Sequence, residues 1–284
     1  MKKLILTLFI TLFSILASWG QNITELKQKA EQGDAQAQFC LGVCYSYGNG
    51  VSKDDFEAVK WFYKAAEQEN AQAQGVLGWC YFNGYGIKRD LREAVKWYRK
   101  SAEQGNADAQ CNLGACYFKG YGVERDLREA VKWYRKAAEQ ENAQAQYVLG
   151  VYYSNNGIKK DLQEAVKWYR KAAEQENAQA QFCLGVCYFK GYGIKKDLQE
   201  AVKWYRKAAE QGDAQAQCNL GACYYNGYGV IQNNVKAYAW LALASANGSE
   251  KAKESMDILK KEMTPNQILE AQKLAEKYYN GKFD

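Results

Sequence analysis

The sequence predicts an all-α fold, an α-solenoid of about six helix–turn–helix repeats of 36 residues with a C-terminal capping helix. Near-copies of one segment recur along the chain, and each centres on a tryptophan. The spacings between these tryptophans are 36, 36, 35, 36 and 36, and their positions are Trp61, Trp97, Trp133, Trp168, Trp204 and Trp240. A fixed period of 20–50 residues is typical of solenoids, propellers and arrays. It takes precedence over the two globular domains that 284 residues would otherwise suggest.

Residues 1–20 have the layout of a secretory signal peptide. Lys2 and Lys3 precede an apolar stretch over 4–16, and Ser18 and Gly20 are small residues at −3 and −1 of a cut after Gly20. A helix of that stretch spans roughly 20 Å, short of the ~30 Å hydrocarbon core, so a permanent anchor is the weaker interpretation. We predict a secreted or periplasmic protein that has no stable membrane insertion after signal cleavage.

The second helix of each repeat, here called helix B, is predicted from apolar residues three and four apart. In the second repeat these include Leu91, Ala94 and Val95, which share one helical face. Asp90 suits the N-cap, and Gly105 or its equivalent closes the helix in several copies. The six repeats cover 34–248, after a lead-in over 21–33.

The first helix of each repeat, helix A, begins after an Asn or Asp such as Asn106 or Asp34 and stops at a Gly-Tyr-Gly loop, here called the elbow. Neither helix can bury its apolar face alone, so stacking of neighbouring pairs is expected to build a continuous core. The fourth repeat is one residue short at its elbow, between Tyr153 and Gly157, which predicts a local irregularity.

The tail over 249–284 is predicted to hold the C-terminal capping helices. The chain's single proline, Pro265, follows Thr264. Thr264 is expected to act as N-cap and Pro265 as the first residue of a last helix, which runs to about Tyr279.

The composition excludes several kinds of chemistry. The chain has no histidine, which removes Ser-His-Asp and Cys-His nucleophile arrangements and every metal site that needs histidine. The mature chain keeps a dispersed net charge of only +4, which does not indicate nucleic acid as a partner. Carboxylates such as Glu93 recur from copy to copy, in the first five repeats, as structural residues do. We predict no catalytic residue, no cofactor and no metal.

Nine cysteines fall mostly on one slot of helix A, including Cys44, Cys80 and Cys116. Stacked helices lie about 8–10 Å apart, so equivalent cysteines of adjacent repeats exceed the Cα separation of a disulfide. We predict small buried hydrophobic residues and no disulfide. Export supports the alternative, because oxidising compartments permit disulfides and an odd count leaves one thiol unpaired.

The repeated segment closely resembles the Sel-like repeat family, a branch of the tetratricopeptide-like α-solenoids. The matching pattern is Ala37-Gln38-x-x-Leu41-Gly42-x-x-Tyr45-x-x-Gly48-x-Gly50-Val51, followed by Ala58-Val59-x-Trp61-x-x-Lys64-Ala65-Ala66-Glu67-Gln68. It returns from Ala73, Ala109, Ala145, Ala180 and Ala216. The resemblance implies a right-handed superhelix with helix A on its concave side.

The helix A face opposite the core stripe differs most between copies and is largely apolar, as binding surfaces often are. It comprises three positions, equivalent to residues 39, 43 and 46 of the first repeat. Two asparagines nearby have amides that could bond an extended backbone. We therefore predict a groove for a protein or peptide, lined by Phe39, Val43, Trp79, Phe82, Asn112, Phe118, Tyr147, Phe182, Phe189, Asn219 and Tyr225. The alternative is that these residues fill gaps between repeats. The basic face of helix B is expected to be solvated, an acidic partner being its alternative.

Two functional interpretations follow. The first is an exported, monomeric, non-enzymatic scaffold or adaptor that holds a protein or peptide in the concave groove. The second comes from the resemblance, since cysteine-rich exported relatives are associated with peptidoglycan-related or β-lactam-like substrates, which implies a β-lactamase-like or penicillin-binding activity. The mature chain has no Ser-x-x-Lys, which weighs against the second.

Overall fold

The computed structural model describes residues 23–155 and 161–283. Across these residues the regular elements are fifteen helices and no strand, which confirms the predicted all-α class. The predicted signal peptide over 1–20, the start of the lead-in and most of the fourth elbow lie outside the described residues. The chain divides into two compact units, the first ending at residue 140 and the second beginning at 141.

The first unit holds a lead-in helix and three repeats, each made of a helix A followed by a helix B. Its helices are α1 (Ile23–Glu31), α2 (Ala35–Tyr47), α3 (Asp55–Glu67), α4 (Ala71–Asn83), α5 (Leu91–Glu103), α6 (Ala107–Lys119) and α7 (Leu127–Glu139).

The second unit holds three further repeats and two terminal helices. Its helices are α8 (Ala143–Ser154), α9 (Leu162–Glu174), α10 (Ala178–Lys190), α11 (Leu198–Glu210), α12 (Ala214–Asn226), α13 (Asn234–Ala246), α14 (Glu250–Lys260) and α15 (Pro265–Tyr279).

The helices begin at the predicted caps. Asn106 begins helix A of the third repeat, where its side-chain oxygen accepts the Ala109 N–H at 2.9 Å. Asp90 begins helix B of the second repeat and accepts the N–H groups of Arg92 and Glu93 at 2.9 and 3.1 Å. Each bond satisfies a donor that the first helical turn leaves unpaired.

The two residues of the repeated Leu-Gly pair have separate roles in the core. Leu77 is fully buried between its neighbours. Gly78 faces the ring of Tyr98 on helix B of the same repeat, and a Cβ atom at Gly78 would lie 2.7 Å from that ring. The glycine therefore sets how closely helices A and B approach within a repeat.

The second elbow glycine presses on the preceding repeat. Gly86 has φ +61°, and a Cβ atom there would lie 2.1 Å from the carbonyl oxygen of Asp55, the first residue of α3. A Cβ atom at Gly122 would likewise lie 2.0 Å from the carbonyl oxygen of Leu91, the first residue of α5. The elbow therefore fixes how one repeat stacks on the one before it.

The fourth repeat departs from the others at its elbow. Helix α8 has 12 residues where the other five A helices have 13. Its C-cap is Asn155 in an extended conformation, with φ −91°, whereas the other A helices end at a left-handed glycine such as Gly191. The irregularity predicted from the missing residue is confirmed as far as residue 155.

The C-terminal helix has the predicted start. Thr264 and Gln267 form a reciprocal capping box, and Pro265 is the first residue of α15. Beyond α15, Phe283 returns to stack on Trp240 of α13 with ring centroids 5.6 Å apart and planes 6° apart. Tyr278 contacts both rings, so three aromatic side chains close this end of the second unit.

Candidate functional site

The position equivalent to residue 39 faces inward. In the second repeat it is Gly75, where a Cβ atom would lie 3.1 Å from the Ser101 hydroxyl on its own helix B and 3.8 Å from Ala109 on the next helix A. The aromatic occupants pack on their own helix B. The ring centroids of Phe182 and Tyr205 lie 6.0 Å apart.

Two predicted groove residues are therefore core residues. Phe39 has 0% of its surface exposed and packs on Phe62, with ring centroids 5.8 Å apart. Val43 is 7% exposed. Burial removes both side chains from any surface that a partner could reach, so we correct the prediction at these two positions. Tyr147 and Phe182 are half-buried.

Trp79, at the position equivalent to residue 43, is half-buried against the elbow of its own repeat. Its ring lies 5.4 Å from that of Tyr85. The Tyr85 hydroxyl donates to the Asp55 carboxylate at 2.5 Å. Burial, and then this hydrogen bond to a carboxylate, raises the pKa of Tyr85. This hydrogen bond fixes Tyr85, which packs on Trp79, against helix B of the preceding repeat.

In four of the six repeats the position equivalent to residue 46 carries a half-buried ring at the end of helix A. The Phe82 ring lies 5.6 Å from that of Tyr121 on the next elbow, edge to face. Phe189 and Tyr228 repeat this arrangement in the second unit at 5.7 Å. Tyr121 and Tyr228 are 40% and 43% exposed. We call this surface the elbow edge: the residue 46 equivalents and the elbow tyrosines.

The elbow tyrosines were missed by sequence reasoning. The glycines on either side of them indicated only a turn, and the tyrosine between them was not considered as surface. Its recurrence at Tyr85, Tyr121, Tyr192 and Tyr228 was the signal that could have found it, because a turn by itself does not require an aromatic residue.

Basic side chains lie beside the rings of the elbow edge. The Arg89 Nε donates to the backbone carbonyl of Phe82 at 3.0 Å. The Lys119 Nζ lies 5.5 Å from the centroid of the Phe118 ring, and Lys190 lies at the same distance from Phe189. Such contacts between cations and aromatic rings are modestly attractive.

The predicted asparagines and the last aromatic residue of the row have different surroundings. Asn112 and Asn219 are half-buried. Burial raises the pKa of Tyr205, and its hydrogen bond with Asn219 offsets part of that rise. The Tyr225 hydroxyl donates to the Glu262 carboxylate at 2.9 and 3.0 Å. Asn219 and Tyr225 thus already hold protein partners.

Part of the charge of helix B is paired within the helix. A glutamate pairs with the lysine three residues later, as in Glu93 with Lys96 at 3.2 Å and Glu129 with Lys132 at 3.0 Å. A second lysine lies over the repeat tryptophan, as Lys100 lies 4.4 Å from the Trp97 ring centroid. The basic face of helix B that was predicted to be solvated thus contains these local pairs.

All nine cysteines are free thiols, eight of them buried and Cys183 half-buried. Burial raises the pKa of Cys80 and Cys116 to about 12 and that of Cys183 to about 11. A thiol with so high a pKa is a poor nucleophile near neutral pH. Within residues 23–155 and 161–283, no group of His, Cys, Asp and Glu side chains could hold a metal ion. No helix in those ranges is long and apolar enough to cross a membrane.

The family follows from the repeats themselves. The Sel1 repeat model matches six consecutive segments, at residues 35–70, 71–106, 107–142, 143–177, 178–213 and 214–249. The chain belongs to the Sel1 repeat family. Sel1 repeat proteins generally mediate protein–protein interactions and are typically not enzymes.

Solved structures support the same fold. A Sel1 repeat protein from Oxalobacter formigenes is 38% identical, with a TM-score of 0.74 over 83% of this chain and 94% of that one. The Cut9-Hcn1 hetero-tetramer of the APC/C contains a chain with a TM-score of 0.54 at 16% identity, over 86% of this chain and 47% of that one. The second likeness concerns the fold alone.

One relative is named for what it binds. The secretory immunoglobulin A-binding protein EsiB of Escherichia coli O6:H1 (strain CFT073) is 44% identical over 69 residues. That match covers 23% of this chain and 14% of EsiB, so the chain spans a small part of the length of this relative.

Proposed function

We propose that this Sel1 repeat protein is an exported, non-enzymatic scaffold that binds a protein or peptide through its helix A surface. The observation that carries the proposal is the recurring pair of accessible aromatic rings at the elbow edge, Phe82 with Tyr121 and Phe189 with Tyr228. Large aromatic side chains are the usual anchors of protein interfaces.

The packing of these rings supports a binding role. Each of these four rings packs edge to face on the other ring of its pair, which leaves less rotamer freedom for a partner to remove. Each also keeps part of its surface in water, which a partner could cover. Each unit has its own proposed surface, which comprises Trp79, Phe82, Asn112 and Phe118 in the first unit, and Tyr147, Phe182, Phe189, Asn219 and Tyr225 in the second.

Export is the second part of the proposal. It is supported by the basic and apolar layout of residues 1–20 and by the likeness to a protein named for binding secretory immunoglobulin A. Expression of the full chain in a bacterial host tests it. We expect a mature N-terminus at Gln21 in the periplasmic or culture fraction, whereas an intact N-terminus in the cytoplasmic fraction would contradict export.

The binding surface is tested by selecting peptides from a random display library on the immobilised mature protein. Trp79→Ala combined with Phe118→Ala is expected to weaken the selected peptides at least about tenfold, because hot-spot aromatic residues contribute about 2 kcal/mol or more. Tyr63→Ala is the matched control, since it removes an exposed ring from helix B.

Circular dichroism must show that all three proteins stay folded. The proposal fails if the selected peptides bind the double alanine variant as tightly as the unaltered protein. It also fails if the control alone weakens them, because that result would place binding on helix B.

A further inference from the structure

Both basic surfaces of the repeats hold cations without an ion pair, and they differ in what lies beside those cations. On helix B, glutamates pair with Lys96, Lys132, Lys167 and Lys203 within the same helix. At the elbow edge, no carboxylate of the described residues forms an ion pair with Arg89, Lys119 or Arg125. Arg92, Arg99 and Lys100 of helix B likewise form no ion pair with a described carboxylate, but Lys100 lies over the buried Trp97 ring, whereas the cations of the elbow edge lie beside accessible rings.

We propose that the elbow edge selects an acidic peptide segment, one whose carboxylates alternate with apolar side chains. The inference rests on the proposed function and names the class of its ligand. Apolar side chains would cover the Phe82 and Tyr121 rings, and carboxylates would pair with the adjoining cations. Charged hydrogen bonds of this kind between Arg and carboxylates are among the stronger ones.

The first unit holds the arginines of this surface close to the ends of its A helices. The Cβ atoms of Arg89 and Arg125 lie near the C-cap glycines of their A helices. A Cβ atom added at Gly84 would lie 3.3 Å from the Arg89 Cβ, and one added at Gly120 would lie 3.5 Å from the Arg125 Cβ. The Arg89 Nε is further bound to the Phe82 carbonyl. Its two NH2 groups are further donors, which a carboxylate could accept.

The second unit repeats the combination independently. Phe189 and Tyr228 form the ring pair, and Lys190 lies over the Phe189 ring. Lys196 adjoins the C-cap Gly191 as Arg89 adjoins Gly84, since an added Cβ at Gly191 would lie 3.4 Å from the Lys196 Cβ. Rings with unpaired cations thus recur at two elbow edges.

The acidic residues near the elbows form no ion pair with these cations. Asp90, Asp126 and Asp197 follow the basic residues, but each uses a side-chain oxygen to cap the next helix B. Those bonds direct the carboxylate to its own helix N-terminus, whose positive end it compensates. Glu124 is an exposed acidic neighbour that forms no ion pair with a described residue.

Three synthetic peptide pools test the charge preference on the full mature protein. All three carry random Leu, Ile, Phe or Trp at alternate positions, and the remaining positions are Glu in the first pool, Gln in the second and Lys in the third. We expect fluorescence anisotropy to show the Glu pool binding at least about tenfold tighter than the Gln pool in 50 mM NaCl. Because exposed charges are screened, most of this difference should vanish in 500 mM NaCl.

Two charge-reversal variants, which change the net charge equally, test which surface causes the preference for the Glu pool. The elbow variant combines Arg89→Glu, Arg125→Glu, Lys190→Glu and Lys196→Glu, and it should lose the preference for the Glu pool. The helix B variant combines Lys96→Glu, Lys132→Glu, Lys167→Glu and Lys203→Glu, and it should keep that preference. Circular dichroism confirms that both variants are folded.

The alternative outcomes separate this inference from the proposed function. Equal binding of the Glu and Gln pools, lost in the Trp79→Ala/Phe118→Ala protein, overturns the acidic preference and supports the scaffold. Binding of no pool above background, together with no peptide from the display library, overturns both. A preference lost only in the helix B variant, or displacement of the Glu pool by oligo-dT at lower concentration, overturns the elbow edge as an acidic-peptide site.

Discussion

Gln104 and Gln74 form a side-chain hydrogen bond between the end of one helix B and the start of the helix A of the same repeat. The Gln104 Nε2 donates to the Gln74 Oε1 at 2.8 Å, while the Gln74 Nε2 donates to the backbone carbonyl of Ala66 in the preceding repeat at 3.1 Å. The buried Gln74 amide therefore links three helices. The same glutamine pair recurs between Gln38 and Gln68, Gln110 and Gln140, Gln146 and Gln175, and Gln181 and Gln211.

Replacement of the central glutamine should destabilise the first unit. Gln74→Leu keeps a similar volume but removes two hydrogen bonds, from Gln74 to the Ala66 carbonyl and from Gln104 to Gln74. The Ala66 carbonyl keeps the Glu69 N–H as a donor, so the expected loss is that of two net hydrogen bonds, about 1–3 kcal/mol. Gln72→Leu, two residues earlier and exposed, is the matched control. Urea unfolding should show a loss of this size for Gln74→Leu and almost none for Gln72→Leu. Equal midpoints would mean that the bond between glutamines adds no net stability.

Three glutamates occupy a backbone conformation that favours glycine. Glu69, Glu141 and Glu176 have φ of 61–62°, at the place after helix B where other repeats have Gly33, Gly105 or Gly212. The left-handed conformation costs a residue with a Cβ atom about 1–2 kcal/mol. Replacement by glycine removes this cost, but the greater freedom of glycine in the unfolded chain offsets about 0.5–1 kcal/mol of the gain.

Glu69→Gly and Glu176→Gly should therefore each stabilise the protein by about 0.5–1 kcal/mol. Glu67→Gly, at the last residue of α3, is the control and should destabilise it, because glycine inside a helix costs about 1 kcal/mol. Thermal unfolding compares the melting temperatures of these three variants with that of the unaltered protein. A lower melting temperature for Glu69→Gly than for the unaltered chain would contradict the strain assigned to this position.

The sequence predicted the elements better than the surface. Periodicity placed the helices, and the capping chemistry of Asp90, Asn106 and Thr264 placed their starts, because both depend on local residue spacing. The helical wheel failed for Phe39, because a wheel describes one helix and Phe39 is covered by α3. The positive φ of Glu69 was not predicted, although other repeats hold a glycine at this position. It belongs to a local helix end, where the N–H groups of Glu69 and Asn70 donate to carbonyls of the last turn of α3.

The cysteines should react slowly in the folded protein. The thiolate is the reactive form, and burial holds the pKa of Cys80, Cys111 and Cys116 at about 12. Iodoacetamide at pH 8 followed by peptide mapping should modify the half-buried Cys183 before these three. Complete labelling is expected only in urea. Intact mass with and without reductant supplies the check on redox state, where a difference of four disulfides would contradict the free thiols of the structure.

The C-terminal aromatic contact should contribute to the stability of the second unit. Phe283→Ala removes a ring that stacks on Trp240, and a partly buried aromatic contact of this kind is expected to contribute about 1–2 kcal/mol. Leu269→Ala, on the exposed side of α15, is the control. Tryptophan fluorescence during urea unfolding should show an earlier transition for Phe283→Ala alone. Coincident transitions for both variants would show that the tail adds nothing beyond α15.

Alkaline pH should destabilise the protein through its buried thiols. The pKa of Cys80 is raised from 9.0 to about 12 by burial, so its neutral form is favoured in the folded state. The stabilisation is complete below the unfolded pKa of 9 and is lost as pH rises towards the folded pKa, because only the unfolded chain releases the proton in that window. Each such thiol should remove up to about 1.4 kcal/mol per pH unit.

The measurement is the urea midpoint at pH 8.5 and at pH 10.5, in the presence of reductant. We expect a marked fall for the unaltered protein, to which several buried thiols and tyrosines contribute. Cys80→Ala should start from a lower stability, because a buried side chain is truncated, yet fall less steeply with pH, because one titrating group is gone. The same pH slope in both proteins would show that Cys80 ionises as readily folded as unfolded, and would contradict its assigned burial.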